Sequence, residues 1–237
     1  MNRKARAIRI VVILGIVTAL FGCDRKEDFQ NLSGTIVGFV DLCDILGAPV
    51  RDRSGVTVTI ENTARSVVTK EEGRFELSDI NAGTYNLVYE KTGFGASKLS
   101  GFQFVGGNVP ALVNRKTLYQ LPASQNTSLE TSYSDGYIFI SVTMEEEGLY
   151  ALRFFVNDSL NVSGARYDFY RDLAPVYPLI HYTCNFQLSE TPFNEGDRIY
   201  LVAYCRNYLD PGYYDLEKET DIGNYVKASD VMEFTVE

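Results

Sequence analysis

The side chains able to do chemistry are few and scattered. His181 is the one histidine among 237 residues, so a histidine-rich zinc site is excluded, and the cysteines show no C-x-x-C spacing. In "YPLIHYTCNF", at the expected start of a strand, His181 reads as a surface or structural residue rather than the base of a triad. Glu145, Glu146 and Glu147 ahead of Gly148 offer carboxylates for calcium. Such a site needs about six to eight converging oxygens, and three neighbours in sequence cannot all turn inward, so a solvated hairpin tip is expected. No P-loop, G-x-G-x-x-G or G-x-S-x-G occurs. No catalytic residue, metal site or cofactor is expected, and the chain is not expected to be an enzyme.

Two further constellations concern structure and binding. Cys184 and Cys205 fall on consecutive expected strands joined by "SETPFNEGD". Tyr182, Cys184, Phe186 and Leu188 share one face of the first strand; Ile199, Leu201, Ala203 and Cys205 share one face of the second. Paired as a hairpin with both apolar faces inward, the strands have a register that sets Cys184 opposite Cys205, with Cα atoms about 4.5 Å apart, near the lower limit for a disulfide. A disulfide, which export would permit, and two reduced core thiols both satisfy this pattern. Cys43 in "DLCDILG" reads as a free, half-buried thiol at a strand end. The opposite face of the same hairpin presents Asn185 and Gln187 beside Tyr200, Tyr204 and Arg206, and a loop of about twenty residues beyond it adds Tyr208, Tyr213 and Tyr214. Rings stack on sugar C–H faces while amides bond hydroxyls, which makes this a candidate polysaccharide platform; a solvated sheet face with cross-strand pairs is the alternative.

The chain begins with a different signal. Arg3, Lys4, Arg6 and Arg9 precede an almost unbroken apolar run from Ile10 to Phe21, which ends at Gly22 and Cys23. A basic head and a short apolar core are the parts of a secretory signal, and the run falls short of the about 20 residues of a membrane span. "LFGC" resembles the lipobox of bacterial lipoproteins, which implies a signal peptide over residues 1–22 and lipid on the Cys23 thiol. Residues 23–32, polar and without periodicity, read as a flexible tether, and Asp24, Glu27 and Asp28 loosely resemble the surface-export signal of Bacteroidetes lipoproteins. Losing residues 1–22 removes four of the 22 basic residues and none of the 31 acidic ones, so the formal charge moves from −9 to −13. That balance argues against nucleic acid as a partner, and against an anionic membrane surface beyond the lipid anchor itself.

The elements that would position these groups are strands. Past residue 32 the chain consists of short runs rich in Val, Ile, Thr, Tyr and Phe, broken by Gly, Asn, Asp and Pro, and no segment sustains helical spacing. The expected fold is all-β: two consecutive β-sandwich domains after a lipoprotein signal peptide, at 33–120 and 128–237, joined by a linker at 121–127. Each has about seven expected strands.

The first set carries the more specific local pattern. "GTIVGFV" is followed by a turn at Gly47, Ala48 and Pro49, the strand "VTVTI", then Glu72, Gly73, Arg74 and Phe75, then Gly83, Thr84 and Tyr85. This order resembles the carboxypeptidase regulatory-like domain, a transthyretin-related sandwich, and implies a non-catalytic accessory module. The second set has the character of an immunoglobulin or fibronectin type III sandwich. Together they resemble the two-domain surface lipoproteins of Bacteroidetes, which implies an outer-membrane, lipid-anchored protein at the cell surface with polysaccharide or other envelope proteins as partners. A purely structural or adhesive role is the alternative. Asp158, Ser159 and Leu160 resemble the Asp-Ser/Thr-aliphatic acceptor of Bacteroidetes O-glycosylation, which implies modification of Ser159.

Overall fold

The computed structural model describes residues 32–123, 127–174, 177–215, 220–222 and 224–237, with the backbone only at 213–215 and 220–222. The expected signal peptide, the expected lipidation site Cys23, most of the expected tether and the middle of the expected linker lie outside the described residues.

The chain is all-β, with no α-helix among the described residues. In the first sandwich the strands are β1 (Ser33–Cys43), β2 (Thr57–Ile60), β3 (Ser66–Val68), β4 (Arg74–Asn81), β5 (Gly83–Glu90), β6 (Ser97–Phe104), β7 (Ala111–Leu112) and β8 (Lys116–Tyr119). One sheet has β4 on one side of β1, with β7 and then β8 parallel to β1 on the other; the second runs β3-β2-β5-β6. Residues 109–119 thus contribute two short strands rather than one continuous strand. β7 pairs with Ile36 and Val37, β8 with Val40 to Cys43, and Val113 between them is buried. Period-two alternation turns Ile36, Val40 and Leu42 of β1 onto Val58, Ile60, Phe75, Leu87 and Tyr89. Phe75 and Tyr89 meet edge to face, with ring centroids 5.9 Å apart. The Tyr89 hydroxyl is buried without a hydrogen-bond partner, and burial pushes its pKa upward.

The second sandwich comprises β9 (Ser128–Ser134), β10 (Tyr137–Gly148), β11 (Tyr150–Asn157), β12 (Phe169–Leu173), β13 (Leu179–Gln187), β14 (Arg198–Asn207), β15 (Tyr213–Asp215), β16 (Thr220–Ile222), β17 (Val226–Lys227) and β18 (Met232–Thr235). Asp135 and Gly136, both at positive φ, turn β9 into β10, the two-residue connection whose twist suits a hairpin. Sheet β13-β10-β9 packs on sheet β12-β11-β14, which β17 and β18 extend along β14; β15 and β16 form a separate ribbon. Glu145, Glu146 and Glu147 are not a hairpin tip. They form the exposed end of β10, which runs on to Gly148 before the chain crosses to the other sheet.

The expected hairpin between the strands of Cys184 and Cys205 does not form. β13 pairs with β10 and β14 with β11, so Cys184 stands opposite Ile140, Cys205 opposite Leu152, and the two lie in different sheets. Both are free thiols, and burial pushes them up to about 11 and about 12 respectively. The connection between them, capped by the buried side chains of Leu188 and Phe193, crosses the sandwich. The physical reason is that an inward apolar face on each strand is satisfied equally by adjacent strands and by strands facing each other across a core about 10 Å thick.

The buried apolar residues form two large clusters and a small outer one, and the large cluster of the second sandwich takes in Ile45 from the loop after β1. Around that side chain runs a polar seam. Asn207 Nδ2 donates to the carbonyls of Asp44 and Gln120 at 3.3 and 3.4 Å. Asn224 donates from Nδ2 to Ala96 O and to Asp210 Oδ2, while its Oδ1 accepts from Ala96 N. Asp210 is buried, and desolvation raises its pKa.

Candidate functional site

The alternation that fills the second core leaves an aromatic and cationic array on the outer face of the β12-β11-β14 sheet. On β11, Tyr150, Leu152, Phe154 and Val156 point inward, so Arg153 and Phe155 point outward. Register sets Arg153 opposite Tyr204 of β14 and Asp172 of β12, and Phe155 opposite Val202 and Tyr170. The Phe155 ring lies 4.8 Å from that of Tyr167 and 5.3 Å, edge to face, from that of Tyr204; Tyr167 in turn meets Tyr170 edge to face at 5.7 Å. Val162, Val202, Tyr200 and Val231 complete this small outer cluster.

Beside the rings stands a ladder of stacked guanidinium groups. Arg153 lies over Tyr170 at 4.9 Å and over Tyr225 at 5.0 Å, and Arg206 covers Tyr225 at 5.4 Å. Each such contact is worth about 0.5–1 kcal/mol where exposed. Arg153 is also held by Asp172 through two bonds, Nε to Oδ1 at 2.6 Å and Nη2 to Oδ2 at 2.8 Å, and this carboxylate raises the pKa of the guanidinium. Arg206 donates to the carbonyls of Asn207 and Asp210, which ties the ladder to the interdomain seam. Tyr167 and Tyr170 remain 42% and 47% exposed. The result is a fixed surface of rings with open faces whose cations are already engaged by the protein, suited to apolar stacking at low entropic cost.

Of the residues expected on one platform, Tyr200, Tyr204 and Arg206 do share this face. Asn185 and Gln187 do not. They sit on the outer face of β13 in the opposite sheet, where Gln187 Nε2 donates to the Tyr137 hydroxyl at 2.7 Å and Asn185 stands opposite Phe139. Tyr208 follows β14, its amide bonded to Leu149 O; Tyr213 and Tyr214 pair through β15 with Ile222 and Asp221, and their side chains lie outside the described residues. Arg153, Phe155, Tyr167, Tyr170 and Tyr225 were not singled out from sequence. A signal was present: in "YALRFFVN", two consecutive aromatics in a strand must place one ring on each face.

The other candidates stand apart. His181 is exposed on β13, with Nδ1 2.8 Å from Thr143 Oγ1. Ser159 occupies a turn between exposed Asp158 and Leu160, its amide donating to Asn157 Oδ1. Cys43 ends β1 half-buried, its thiol pKa raised by burial and by Asp41 and Asp44. Among the described residues no group of three or more His, Cys, Asp or Glu is arranged to hold a metal ion.

The family model of the carboxypeptidase regulatory-like domain matches residues 35–114, which supports the domain type expected for the first sandwich. No curated protein matches the chain. Among solved structures, a cohesin–X-dockerin complex from Acetivibrio cellulolyticus is 19% identical over 38% of this chain and 60% of that chain, with a TM-score of 0.32. The chain thus spans less than two thirds of that structure. Two DUF3823 family proteins are similar over more of the chain: one from Bacteroides uniformis at 15% identity, covering 86% of this chain and 100% of that chain with a TM-score of 0.35, and one from Bacteroides ovatus at 10%, covering 86% and 100% with a TM-score of 0.34.

Proposed function

We propose that the chain is a non-catalytic lipoprotein of the cell envelope that holds neutral polysaccharide on the aromatic outer face of its second sandwich. The observation that carries this reading is the set of rings Tyr167, Tyr170, Phe155 and Tyr204, packed against one another with the two exposed tyrosines at the top. A neutral ligand fits because Arg153 is engaged by Asp172, and Arg206 by main-chain carbonyls. Binding is therefore expected to be weak and insensitive to salt. Titration of the purified chain with a panel of neutral polysaccharides tests it. Tyr167→Ala and Tyr170→Ala should each weaken binding several-fold, on the order of 1 kcal/mol, and Asn185→Ala on the opposite sheet should leave it unchanged. If no glycan binds, or if both tyrosine variants bind like the wild type, a structural or adhesive role replaces this one.

Attachment to the outer membrane at the cell surface rests on the basic head, the apolar run and Cys23. An acyl probe fed to cells should label the wild-type chain and spare Cys23→Ser; equal labelling of both would remove the lipid anchor.

A further inference from the structure

A second constellation, on the first sandwich, has the parts of an acyl-transfer site. Glu61, just past β2, has a carboxylate shared by two nitrogens: Lys98 Nζ lies 2.7 Å from Oε1, and Asn86 Nδ2 lies 2.8 Å from Oε2. The third contact is at the amide carbonyl. Gly101 N donates to Asn86 Oδ1 at 2.8 Å. The backbone places these groups for definite reasons. Glu61 N bonds Asn86 O across β2 and β5, Lys98 pairs with Val88 two residues along β5, and a bulge between Tyr85 and Leu87, with Gly101 at φ +67, aims the Gly101 amide at the Asn86 side chain. The side chain of Lys98 is only 6% exposed, and that of Glu61 20%.

We propose that Lys98 and Asn86 join spontaneously through an intramolecular isopeptide bond, with Glu61 as proton carrier and the Gly101 amide as oxyanion donor. An ammonium ion is no nucleophile, so its proton must first move to Glu61 Oε1. Within a largely buried pair this transfer removes both charges together. The neutral Nζ adds to Asn86 Cγ, and the charge developing on Oδ1 is met by the Gly101 N–H. The Glu61 carboxylic acid then protonates Nδ2, the Cγ–Nδ2 bond breaks and ammonia leaves, taking up the remaining amine proton as ammonium. One C–N bond forms and one breaks, nothing is oxidised or reduced, and no co-reactant is required. Attack on an unactivated amide is slow in water; fixed proximity of both partners on adjacent strands is what supplies the rate. The site is separate from the aromatic face of the second sandwich, so it holds or fails independently of glycan binding.

Tryptic mapping of the purified full chain by mass spectrometry is the test. The expected result is a branched peptide in which the segment carrying Asn86 is joined to that carrying Lys98, one ammonia lighter than its parts, with no cleavage after Lys98. Lys98→Arg and Glu61→Gln should both lack the branch, while far-UV circular dichroism confirms that each is folded. Wild-type chain that is cleaved after Lys98 and yields the two segments separately overturns the proposal. A branch that forms undiminished in folded Glu61→Gln overturns the proton-carrier assignment and with it the mechanism. Lys98→Arg keeps the positive charge beside Glu61, so it remains informative if the glutamate variant does not fold.

Discussion

Replacing Phe154 with alanine should destabilise the protein by about 3–5 kcal/mol. Phe154 sits in the middle of β11, the strand between β12 and β14, and its ring is 1% exposed inside the large cluster of the second sandwich. It stands opposite Ala203 on β14, the smallest residue of that row, so the ring fills volume its neighbour leaves open. Removing it takes away both the transfer free energy of a phenyl group and the contacts of the walls around it, and paired strands on both sides limit how far those walls can close. Equilibrium unfolding in urea would show a lower midpoint with an unchanged slope. A loss below about 1 kcal/mol would mean that the core rearranges around the gap.

Gly73→Val should cost about 3 kcal/mol or more, for a different reason. Gly73 turns the chain into β4 at φ +78, a region that a β-branched residue essentially never adopts. A Cβ there would also fall 2.0 Å from the Val40 carbonyl oxygen, a backbone atom whose own amide is bonded to Gly73 O at 2.9 Å. Strain at such a φ is worth about 1–3 kcal/mol, and displacing β1 adds to it. Gly93 separates the two contributions: it has φ +82, but a Cβ would meet nothing within 4 Å. Gly93→Ala should therefore cost only the conformational part, about 1–2 kcal/mol. Melting temperatures of the two variants, measured side by side, check this. Equal shifts would show that the contact with Val40 O is relieved at no cost.

Gly73 also shows how the chain could be read before folding. Glycine after two glutamates and before the alternating "RFEL" announces a turn at positive φ followed by a half-buried strand, and the structure has both. These are local statements, and the physics behind them is local. Hydrophobic alternation sets strand type and face, while glycine marks where the backbone must adopt a conformation other residues avoid. The all-β class and most strand positions follow from such rules, from Ser33–Cys43 to Met232–Thr235. The weakly patterned strands were less legible: β15, β16 and β17 are two or three residues long, and the short 109–119 stretch divides between two pairing sites on β1.

What the sequence by itself determined is therefore which side of each strand faces inward; what only the tertiary structure decided is which strands are neighbours. Cys184 and Cys205 are both turned to the core, as alternation requires, yet they belong to opposite sheets, and that choice separates Asn185 and Gln187 from Tyr200 and Tyr204. The same choice brings β12 and β17 alongside β11 and β14, and so assembles Tyr170, Arg153, Tyr204 and Tyr225 from four segments into one face. Ile45, from the first sandwich, is likewise drawn into the second core. Side-chain alternation has a period of two whatever the partner strand is, so it carries no information about pairing. Pairing is settled by how two whole sheets can cover each other's apolar faces, a property of the assembled sandwich that no single segment holds.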